Sequence, residues 1–317
     1  MSMRKTIGVI GGSGLYQMSG EMAGLQGVTE VALDTPFGAP SDSYIVGELP
    51  EYGVRLVFLP RHGRGHRLLP GEVNYAANIH GLKQLGAEFV LSVSAVGSLR
   101  EHIRPGHVIL PDQLIDRTKG RRSTFFGDGV VGHVGFADPV CATLRRLAGE
   151  AAAQVVAQGP AAARPVEVHP SATHVVMEGP AFSTRAESLV YRSLGADTIG
   201  MTNLPEAKLA REAELCYATL ALCTDYDCWH EDEAAVSVDQ VVAVLHRNVA
   251  LAQKIIVATT RLLAAAPPRS CPYSSAVKHA VMTAPDRISP AAYARLELII
   301  GRYIKKPAAG PGAQPGS

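Results

Sequence analysis

The sequence predicts a single α/β domain in which a central sheet of parallel or mixed strands is flanked by helices. Strand-like and helix-like segments alternate along the chain, which is typical of this class. Several strand segments are continuous apolar runs, as expected for strands that are buried on both faces. No internal repeat and no domain boundary precedes Ala264, so one core is expected to extend from the start of the chain to this point.

Charge and hydropathy exclude several classes of function. The 317 residues include 30 lysines and arginines against 29 aspartates and glutamates, so there is no net basic field of the kind that binds nucleic acid or membrane surfaces. No stretch approaches the ~20 apolar residues of a membrane-spanning helix. The apolar run after Arg4 and Lys5 is broken by Gly11, Gly12 and Gly14, too early for a signal peptide.

Cysteine usage favours a reducing, cytoplasmic location. The chain has five cysteines, an odd number, and no two of them have the CxxC spacing of a zinc site or redox centre. Cys216 and Cys223 lie in an apolar run, where cysteine acts as a small hydrophobic side chain.

The first strand is predicted over residues 6–10 and ends in the loop Gly-Gly-Ser-Gly at 11–14. Glycines let successive backbone N–H groups face an anion, and the Ser13 hydroxyl adds a donor. A dinucleotide-binding loop is the alternative, and with it an NAD-linked oxidoreductase. Its glycine pattern fails at Gln17 if it starts at Gly12, and at Ser13 if it starts at Gly11, so this alternative is weak.

A cationic loop follows a group of three predicted strands, at 28–33, 43–47 and 54–59. The loop, residues 60–67, carries five cationic or titratable side chains interleaved with glycine: Arg61, His62, Arg64, His66 and Arg67. Placed at a strand end in a chain of near-zero net charge, this set predicts a local anion site. A solvated basic loop is the alternative.

The middle of the chain continues the alternation. Helices are expected at 73–85, 138–158, 183–194, 205–214 and 236–265, and strands at 89–96, 106–110, 113–116, 174–178 and 197–202. Asp138 and Pro139 look like the N-cap and first residue of their helix, and Ser183 like the start of the next. Ser94 and Thr202 place hydroxyl groups where two strands meet their loops.

The segment around which the chain is organised is the apolar strand from Tyr217, which ends at two carboxylates, Asp225 and Asp227. Ligands of open α/β sheets bind at this edge, and alternate strand residues share a face if the extension persists. Two adjacent carboxyls do not both ionise cheaply, so one should carry a raised pKa and donate a proton. An adenine edge needs such an acceptor and donor. Alternatively, Asp225 caps a helix and Asp227 lies in solvent.

The chain after this core is divided into two parts. Residues 266–304 are predicted as an extension that contains a short helix starting at Ser289 and Pro290, with an apolar side formed by Leu296, Ile299, Ile300 and Tyr303. That helix packs on its own core or is donated to a partner subunit. The Gly/Pro/Ala-rich residues 305–317 are expected to be disordered.

Six motifs in order resemble the methylthioadenosine phosphorylases of the trimeric nucleoside phosphorylase family. They are GGSG at 11–14, RHGRGH at 61–66, SAVGSLR at 94–100, EGPAFSTRAE at 178–187, MTNLPE at 201–206 and TDYDCW at 224–229. The match runs from Thr6 to Leu263. The resemblance implies residues 1–265 as one domain whose mixed sheet curls into a partial barrel, a cytoplasmic homotrimer, and no metal or organic cofactor.

The resemblance also implies residue roles. Phosphate is expected at a set of six residues: Ser13, Arg61, His62, Ser94, Ala95 and Thr202. The nucleoside is expected to contact Phe182, Met201 and Tyr226, with Asp225 and Asp227 as the catalytic pair on the adenine edge. Substrate choice is assigned to Ser183, Val238 and Val241, and to His133 from a neighbouring subunit.

The implied reaction is phosphorolysis of 5'-methylthioadenosine, in which protonated Asp225 donates to N7 of the leaving adenine. Cleavage of another 5'-deoxy or 5'-halo adenosine, or of purine nucleosides in general, is the alternative. Several positions depart from the family pattern. Serine replaces threonine at 13 and 94, Ala181 replaces arginine, and Gly200 replaces asparagine. The chain after Pro267 does not match the animal enzymes.

Overall fold

The computed structural model describes residues 5–11, 24–159, 165–230, 238–266 and 271–306, with only the backbone of 238–247. Its strands are β1 Lys5–Gly11, β2 Gln26–Val31, β3 Tyr44–Leu49, β4 Val54–Pro60, β5 Phe89–Ser98, β6 Val108–Ile109, β7 Gln113–Arg117, β8 Val168–His169, β9 Thr173–Met177, β10 Thr198–Gly200 and β11 Cys216–Asp225. Its helices are α1 Tyr75–Gln84, α2 Ala142–Ala157, α3 Arg185–Ser193, α4 Asn203–Glu212, α5 Val238–Ala265 and α6 Pro290–Ile300.

All of these strands join one mixed sheet, which confirms the predicted fold class. The order is β2-β3-β4-β1-β5-β10-β9-β7, and β11 pairs with β5 and leads on to β6 and β8. The strands β4, β1, β5 and β11 are parallel neighbours. Their carboxyl ends therefore lie at one edge of the sheet, where open α/β folds bind ligands.

Helices cover both faces of the sheet, because side chains alternate across each strand. Ile7 and Val9 of β1 pack on one face with α2 and α5. Ile10 packs on the other face with α1, α4 and α6. In the part of the chain that the structure describes, no helix combines the length and the apolar character needed to cross a membrane.

The helix predicted from Asp138 begins four residues later, so its predicted cap is wrong. Cys141 is the N-cap, and its Sγ accepts a hydrogen bond from the Leu144 N–H. The Cys141 N–H itself donates to the Tyr217 carbonyl of β11, which holds the residues before the helix in an extended path. A contact across 76 positions outweighs the local Asp-Pro signal. In the same way, α3 is capped by Thr184 in a capping box with Glu187, one residue after the predicted start at Ser183.

The C-terminal helix α6 packs on the chain's own core, the first of the two predicted alternatives. Leu296, Ile299 and Ile300 are buried in the same cluster as α1 and α4. The carboxylate of Glu214 accepts hydrogen bonds from the Val277 N–H and the Tyr303 hydroxyl, so the segment is also held by polar contacts.

A disulfide joins Cys216, the first residue of β11, to Cys271. This bond corrects the prediction that Cys216 acts only as a small hydrophobic side chain. Spacing does not reveal this pair, because its members lie 55 positions apart. Cys141 and Cys223 are buried and lie outside the disulfide, as expected for small hydrophobic side chains.

Candidate active site

The pocket is positioned by a fork in the sheet at β5. β11 pairs with β5 over its whole length, from Phe89 to Gly97. The other edge of β5 is shared: β1 pairs with it as far as Ser92, and β10 pairs with Gly97 and Ser98. The two neighbouring strands diverge between these points, which opens a space beside residues 93–96.

Two predicted phosphate ligands meet at this fork. Ser94 lies on β5 and Thr202 just after β10, and their hydroxyl oxygens are 3.4 Å apart. Both residues are 7 % exposed, so an anion between them would be largely withdrawn from water. Ala95 follows Ser94 on the same strand and brings a backbone N–H to this region.

Arg61 lies behind the pocket, and its charge is already paired. Its guanidinium donates to both carboxylate oxygens of Glu206, at 2.9 and 3.3 Å, and to the Ser92 hydroxyl at 2.6 Å. A further N–H donates to the Val93 carbonyl. Arg61 thus joins the end of β4 to the middle of β5 and to α4. The contact between Arg61 and phosphate stays a prediction. Because the guanidinium is already paired, the backbone N–H groups of the loop are the simplest donors to phosphate here.

His62 is held as a neutral ring with a defined tautomer. Its Nδ1 is 2.8 Å from the Leu68 carbonyl oxygen, which only accepts, so Nδ1 carries the proton. Burial, together with the nearby Arg61 charge, lowers the pKa of His62 to about 4. The ring also stacks on His66. Nε2 is therefore a proton acceptor near neutral pH.

Arg121 is a positioning residue that the sequence analysis missed. It lies in the polar loop after β7 and bonds to the Glu178 carboxylate at 3.0 Å and to the Met201 carbonyl at 2.6 Å. It also donates to the Leu204 carbonyl and the Tyr75 hydroxyl. These contacts fix the loop after β9 against the loop after β10. A lone arginine in a polar loop gives no sequence signal for such a role.

The two aspartates converge by a turn and not by strand alternation, which corrects the predicted geometry. β11 ends at Asp225, and Asp227 has a left-handed backbone with φ of 50°. The Asp227 N–H donates to Asp225 Oδ1 at 2.9 Å, and the Thr224 hydroxyl donates to Asp225 Oδ2 at 2.7 Å. Asp225 thus caps a turn with its own side chain, as aspartate commonly does.

Asp227 is buried, so the alternative that placed it in solvent is wrong. It is 7 % exposed, and among the described residues its Oδ2 has no hydrogen-bond partner. Burial raises the pKa of Asp227, and the Glu187 charge adds to the rise, while the Ser188 and Ser183 hydroxyls oppose it. The main cause is therefore the loss of water and not the neighbouring Asp225 expected from the sequence.

Gly97 marks the point where the aspartates meet the fork. A Cβ on Gly97 would lie 2.9 Å from Asp225 Oδ1 and 3.1 Å from Ile199. Ser94 is three residues before this glycine. The hydroxyl pair and the carboxyl pair therefore lie beside the same stretch of β5.

Other predicted substrate residues surround this region to different degrees. Ser183 lies near Asp227, and its carbonyl accepts a hydrogen bond from Cys228 Sγ. Phe182 beside it is 45 % exposed. Met201 packs against Gly179, where a Cβ would lie 2.5 Å from its Sδ.

Tyr226 points away from this group. Its hydroxyl donates to the Glu101 carbonyl, and its ring stacks on His230. His133 is exposed, and its backbone N–H donates to the Ala280 carbonyl. Ser13 and the side chains of Val238 and Val241 lie outside the described residues.

Gly200 has a visible reason to be glycine in this chain. A Cβ there would lie 2.9 Å from the ring of His174, which is fully buried and bonds through Nδ1 to the Thr198 hydroxyl at 2.9 Å. The His174 ring therefore occupies the space into which a side chain at position 200 would begin.

A family model described as the phosphorylase superfamily matches residues 6–261. The chain belongs to the phosphorylase superfamily. Among its relatives, the S-methyl-5'-thioadenosine phosphorylase of Geobacter sulfurreducens is 56 % identical over 95 % of this chain and 100 % of its own length. That of Synechocystis is 54 % identical over 94 % of this chain and 87 % of its own length. Both alignments are longer than 266 residues, so the similarity extends into the segment after Ala266.

Solved structures of phosphorylases share the fold. A methylthioadenosine phosphorylase from an antarctic soil metagenomic library is 47 % identical, with a TM-score of 0.85 over 93 % of this chain and 99 % of that one. A mutant of the adenosine/methylthioadenosine phosphorylase from Schistosoma mansoni, in complex with methylthioadenosine, is 36 % identical. Its TM-score is 0.75 over 83 % of this chain and 93 % of its own.

Proposed function

We infer that this protein is an S-methyl-5'-thioadenosine phosphorylase, which cleaves 5'-methylthioadenosine with phosphate to give adenine and 5-methylthioribose 1-phosphate. The observation that carries this function is the buried carboxyl of Asp227, held beside Asp225 on the strand that borders the hydroxyl pair of Ser94 and Thr202. One site thus offers partners for a purine and for an anion. The similarity to the phosphorylases of Geobacter sulfurreducens and Synechocystis supports the same activity.

The proposed phosphate site lies at the fork. Ser94 and Thr202 donate hydroxyl protons, Ala95 a backbone N–H, and Ser13 and the loop of Arg61 and His62 complete the set. The neutral His62 accepts a proton through Nε2, so it suits a phosphate that still carries one. Held below C1' of the ribose, the phosphate stabilises the positive charge that develops as the glycosidic bond breaks, and then bonds to C1'.

The proposed base site lies at the carboxyl pair, with Ser183, Phe182 and Met201 around the nucleoside. One carboxyl accepts a hydrogen bond from the 6-amino group, and the other donates a proton to N7 as adenine leaves. The sequence analysis gave this proton to Asp225. The raised pKa of Asp227 favours Asp227 instead, since both Asp225 oxygens already accept hydrogen bonds. A general acid of this kind contributes roughly 10²–10⁴-fold to the rate.

The proposal also includes a cytoplasmic homotrimer without metal or organic cofactor in the reaction. Exposed apolar side chains on α3 and at its C-cap, namely Leu189, Val190 and Leu194, support an assembly, because large exposed apolar groups are typical of interfaces. Val238, Val241 and a neighbour's His133 would then form the 5' pocket. Light scattering should give three chain masses, and a fully active monomer would contradict the trimer.

The decisive experiment compares cleavage of 5'-methylthioadenosine with and without phosphate, following adenine by chromatography. The proposal expects adenine and 5-methylthioribose 1-phosphate in equal amounts, and only with phosphate. Cleavage at an equal rate in phosphate-free buffer would indicate a hydrolase.

Adenosine is the second candidate substrate, favoured by the Schistosoma mansoni relative, which is named for both nucleosides. Comparing kcat/KM for adenosine, 5'-methylthioadenosine, a 5'-halo adenosine and inosine decides between them. Reduction of NAD by the protein, with no nucleoside cleavage, would favour an oxidoreductase.

A further inference from the structure

A second group of ligating side chains lies on the far side of β11 from the fork. The ligand atoms of His107, Glu167 and His169 all lie within 4.8 Å of one another. His107 precedes β6, while Glu167 and His169 flank and end β8. None of the three takes part in the proposed phosphorolysis, so their convergence has another explanation.

The backbone beneath this group is fixed by the sheet. The Val108 N–H donates to the Glu167 carbonyl, and the Leu110 N–H donates to the His169 carbonyl, both at 2.9 Å. The His107 carbonyl accepts the Cys223 N–H of β11 at 3.0 Å. Side chains that project from paired strands keep their mutual distances, which is what a metal centre requires of its scaffold.

The distance between the two imidazoles suits a shared ion. His107 Nδ1 and His169 Nε2 are 2.9 Å apart. Two ring nitrogens at 2.0–2.1 Å from one zinc ion, with angles between 90° and 109°, are separated by roughly 2.9–3.4 Å. The two nitrogens are within hydrogen-bond distance of each other, and the Arg104 N–H donates to His107 Nδ1 at 3.3 Å.

The chemistry of the three groups also suits a divalent metal. His107 is buried and His169 is half-buried, so both imidazoles are shielded from bulk water and compete less with it for an ion. Glu167 supplies a carboxylate and is exposed, which leaves an entry path and room for water ligands. His102 is exposed, with its ring 5.8 Å from that of His169, and offers a possible fourth ligand.

We propose that His107, Glu167 and His169 form a structural site for a divalent ion of the zinc class, separate from the phosphate and base pocket. Two imidazoles and a carboxylate form a ligand set that binds zinc in preference to magnesium or calcium. The ion would join β6 to β8 beside the end of β11. It is expected to raise the melting temperature without taking part in the reaction.

The test is a zinc titration of the full chain after removal of metals with a chelator. Calorimetry and competition with a chromophoric indicator should show one saturable site, and Co²⁺ should give visible d–d absorption at the same stoichiometry. His169→Gln and Glu167→Gln should each weaken binding by about 10-fold or more and abolish the zinc-dependent rise in melting temperature. His279→Gln, an exposed histidine elsewhere on the surface, should change neither.

Three results would overturn the proposal. The wild-type chain could show no saturable site. His169→Gln and Glu167→Gln could each bind zinc as tightly as the wild type. The site could instead be lost on Cys141→Ser, which would place the ion at the sulfur cluster of Cys141, Cys216 and Cys271. Glu167 is exposed, so its variant keeps the test valid if His169→Gln fails to fold, and circular dichroism with phosphorolysis checks both.

Discussion

Asp227 combines burial, a raised pKa and an oxygen that has no hydrogen-bond partner among the described residues, a combination that is costly for stability and useful for proton transfer. A carboxyl withdrawn from water keeps its proton at a higher pH than usual, so it can act as a donor where an exposed aspartate cannot. The fork supplies the opposite chemistry a few residues away, with hydroxyls that suit an anion. The site therefore separates its acidic and its anion-binding parts along β5.

Replacing Asp227 with Asn should lower kcat/KM for 5'-methylthioadenosine by roughly 10²–10⁴-fold, because the variant has no proton to transfer to N7. The loss for inosine should be of similar size, since N7 of its leaving purine takes the same proton. In the wild type, kcat/KM should fall as pH rises through the raised pKa of Asp227, because the protonated form is the active one. This fall of kcat/KM at high pH should be absent in Asp227→Asn.

Steady-state kinetics over a pH series checks these expectations, with Asp286→Asn as the control at an exposed carboxylate. An unchanged kcat/KM in Asp227→Asn would remove this carboxyl from proton transfer to the purine. The parallel variant Asp225→Asn decides which carboxyl holds the proton, because only the donor's variant should lose the pH-dependent limb.

The pairing of Arg61 with Glu206 predicts a large effect on stability. Both side chains are 1 % exposed, and Glu206 also accepts the Tyr217 hydroxyl at 2.9 Å. Glu206→Gln leaves an uncompensated buried guanidinium and should cost about 3–5 kcal/mol. Urea denaturation measures this loss.

The exposed pair of Arg146 and Glu150 on α2 provides a matched control for that substitution. Glu150→Gln should cost less than about 0.5 kcal/mol, as is usual for an i,i+4 pair in solvent. Similar losses for the two glutamate variants would contradict the structural role of Glu206.

Residue roles were only partly predictable from the sequence. The strand-end position of Asp225 and the hydroxyls of Ser94 and Thr202 are local features, so pattern alone located them. The partner of Arg61 lies 145 positions away, and no local pattern indicates it. Asp225 and Asp227 lie together through a turn and not through the predicted strand alternation, because a strand pattern does not show where extension ends.

At the scale of elements, most strands and helices were predictable because their apolar periodicity is strong. The residues at which they begin and end were less predictable. α2 begins late because its preceding residues bond to β11, and the two-residue strand β8 is too short for any periodicity. β8 matters nonetheless, since it carries His169 to the proposed metal site.

The disulfide between Cys216 and Cys271 predicts that reducing agents weaken the fold. It closes a loop of 55 residues, and the chain-entropy model gives about 4 kcal/mol for a loop of that length. The urea midpoint should fall on reduction of the wild type. Cys271→Ser should already have the lower midpoint and show no further change.

Thiol counting by mass spectrometry under denaturing conditions verifies the bond in protein isolated with an alkylating agent. A count of three thiols indicates the disulfide and a count of five its absence, because Cys141, Cys223 and Cys228 lie outside the disulfide in the structure. Five thiols in protein from the cell would favour the reducing compartment that cysteine usage predicts.

At the scale of the whole molecule, the described part of the predicted C-terminal extension packs on the main core, and the division of the chain at residue 266 stays a prediction. α6 buries Leu296, Ile299 and Ile300 against the face formed by α1 and α4. The change in composition at Pro267 and Pro268 predicts an extension distinct from the main domain. Composition does not report where a helix packs. The prediction for residues 305–317 stays a prediction, since 307–317 lie outside the described residues.

Ending the chain at Ala266 should therefore give unstable or insoluble protein. Each large aliphatic side chain that loses its cover costs about 1.5–3 kcal/mol, and the Glu214 carboxylate loses two hydrogen-bond donors. Thermal melts and soluble yield measure the effect. Ending the chain at Lys306 is the control and should leave the melting temperature unchanged; an unaltered melt in both truncations would contradict the shared core.

The left-handed backbone at Asp227 has an evolutionary consequence. Asparagine tolerates that conformation about as readily as aspartate does, while branched or bulky residues do not. Exchanging the carboxyl for an amide there disturbs no main-chain geometry. On this scaffold, selection for proton transfer, and not for folding, therefore decides between aspartate and asparagine at position 227.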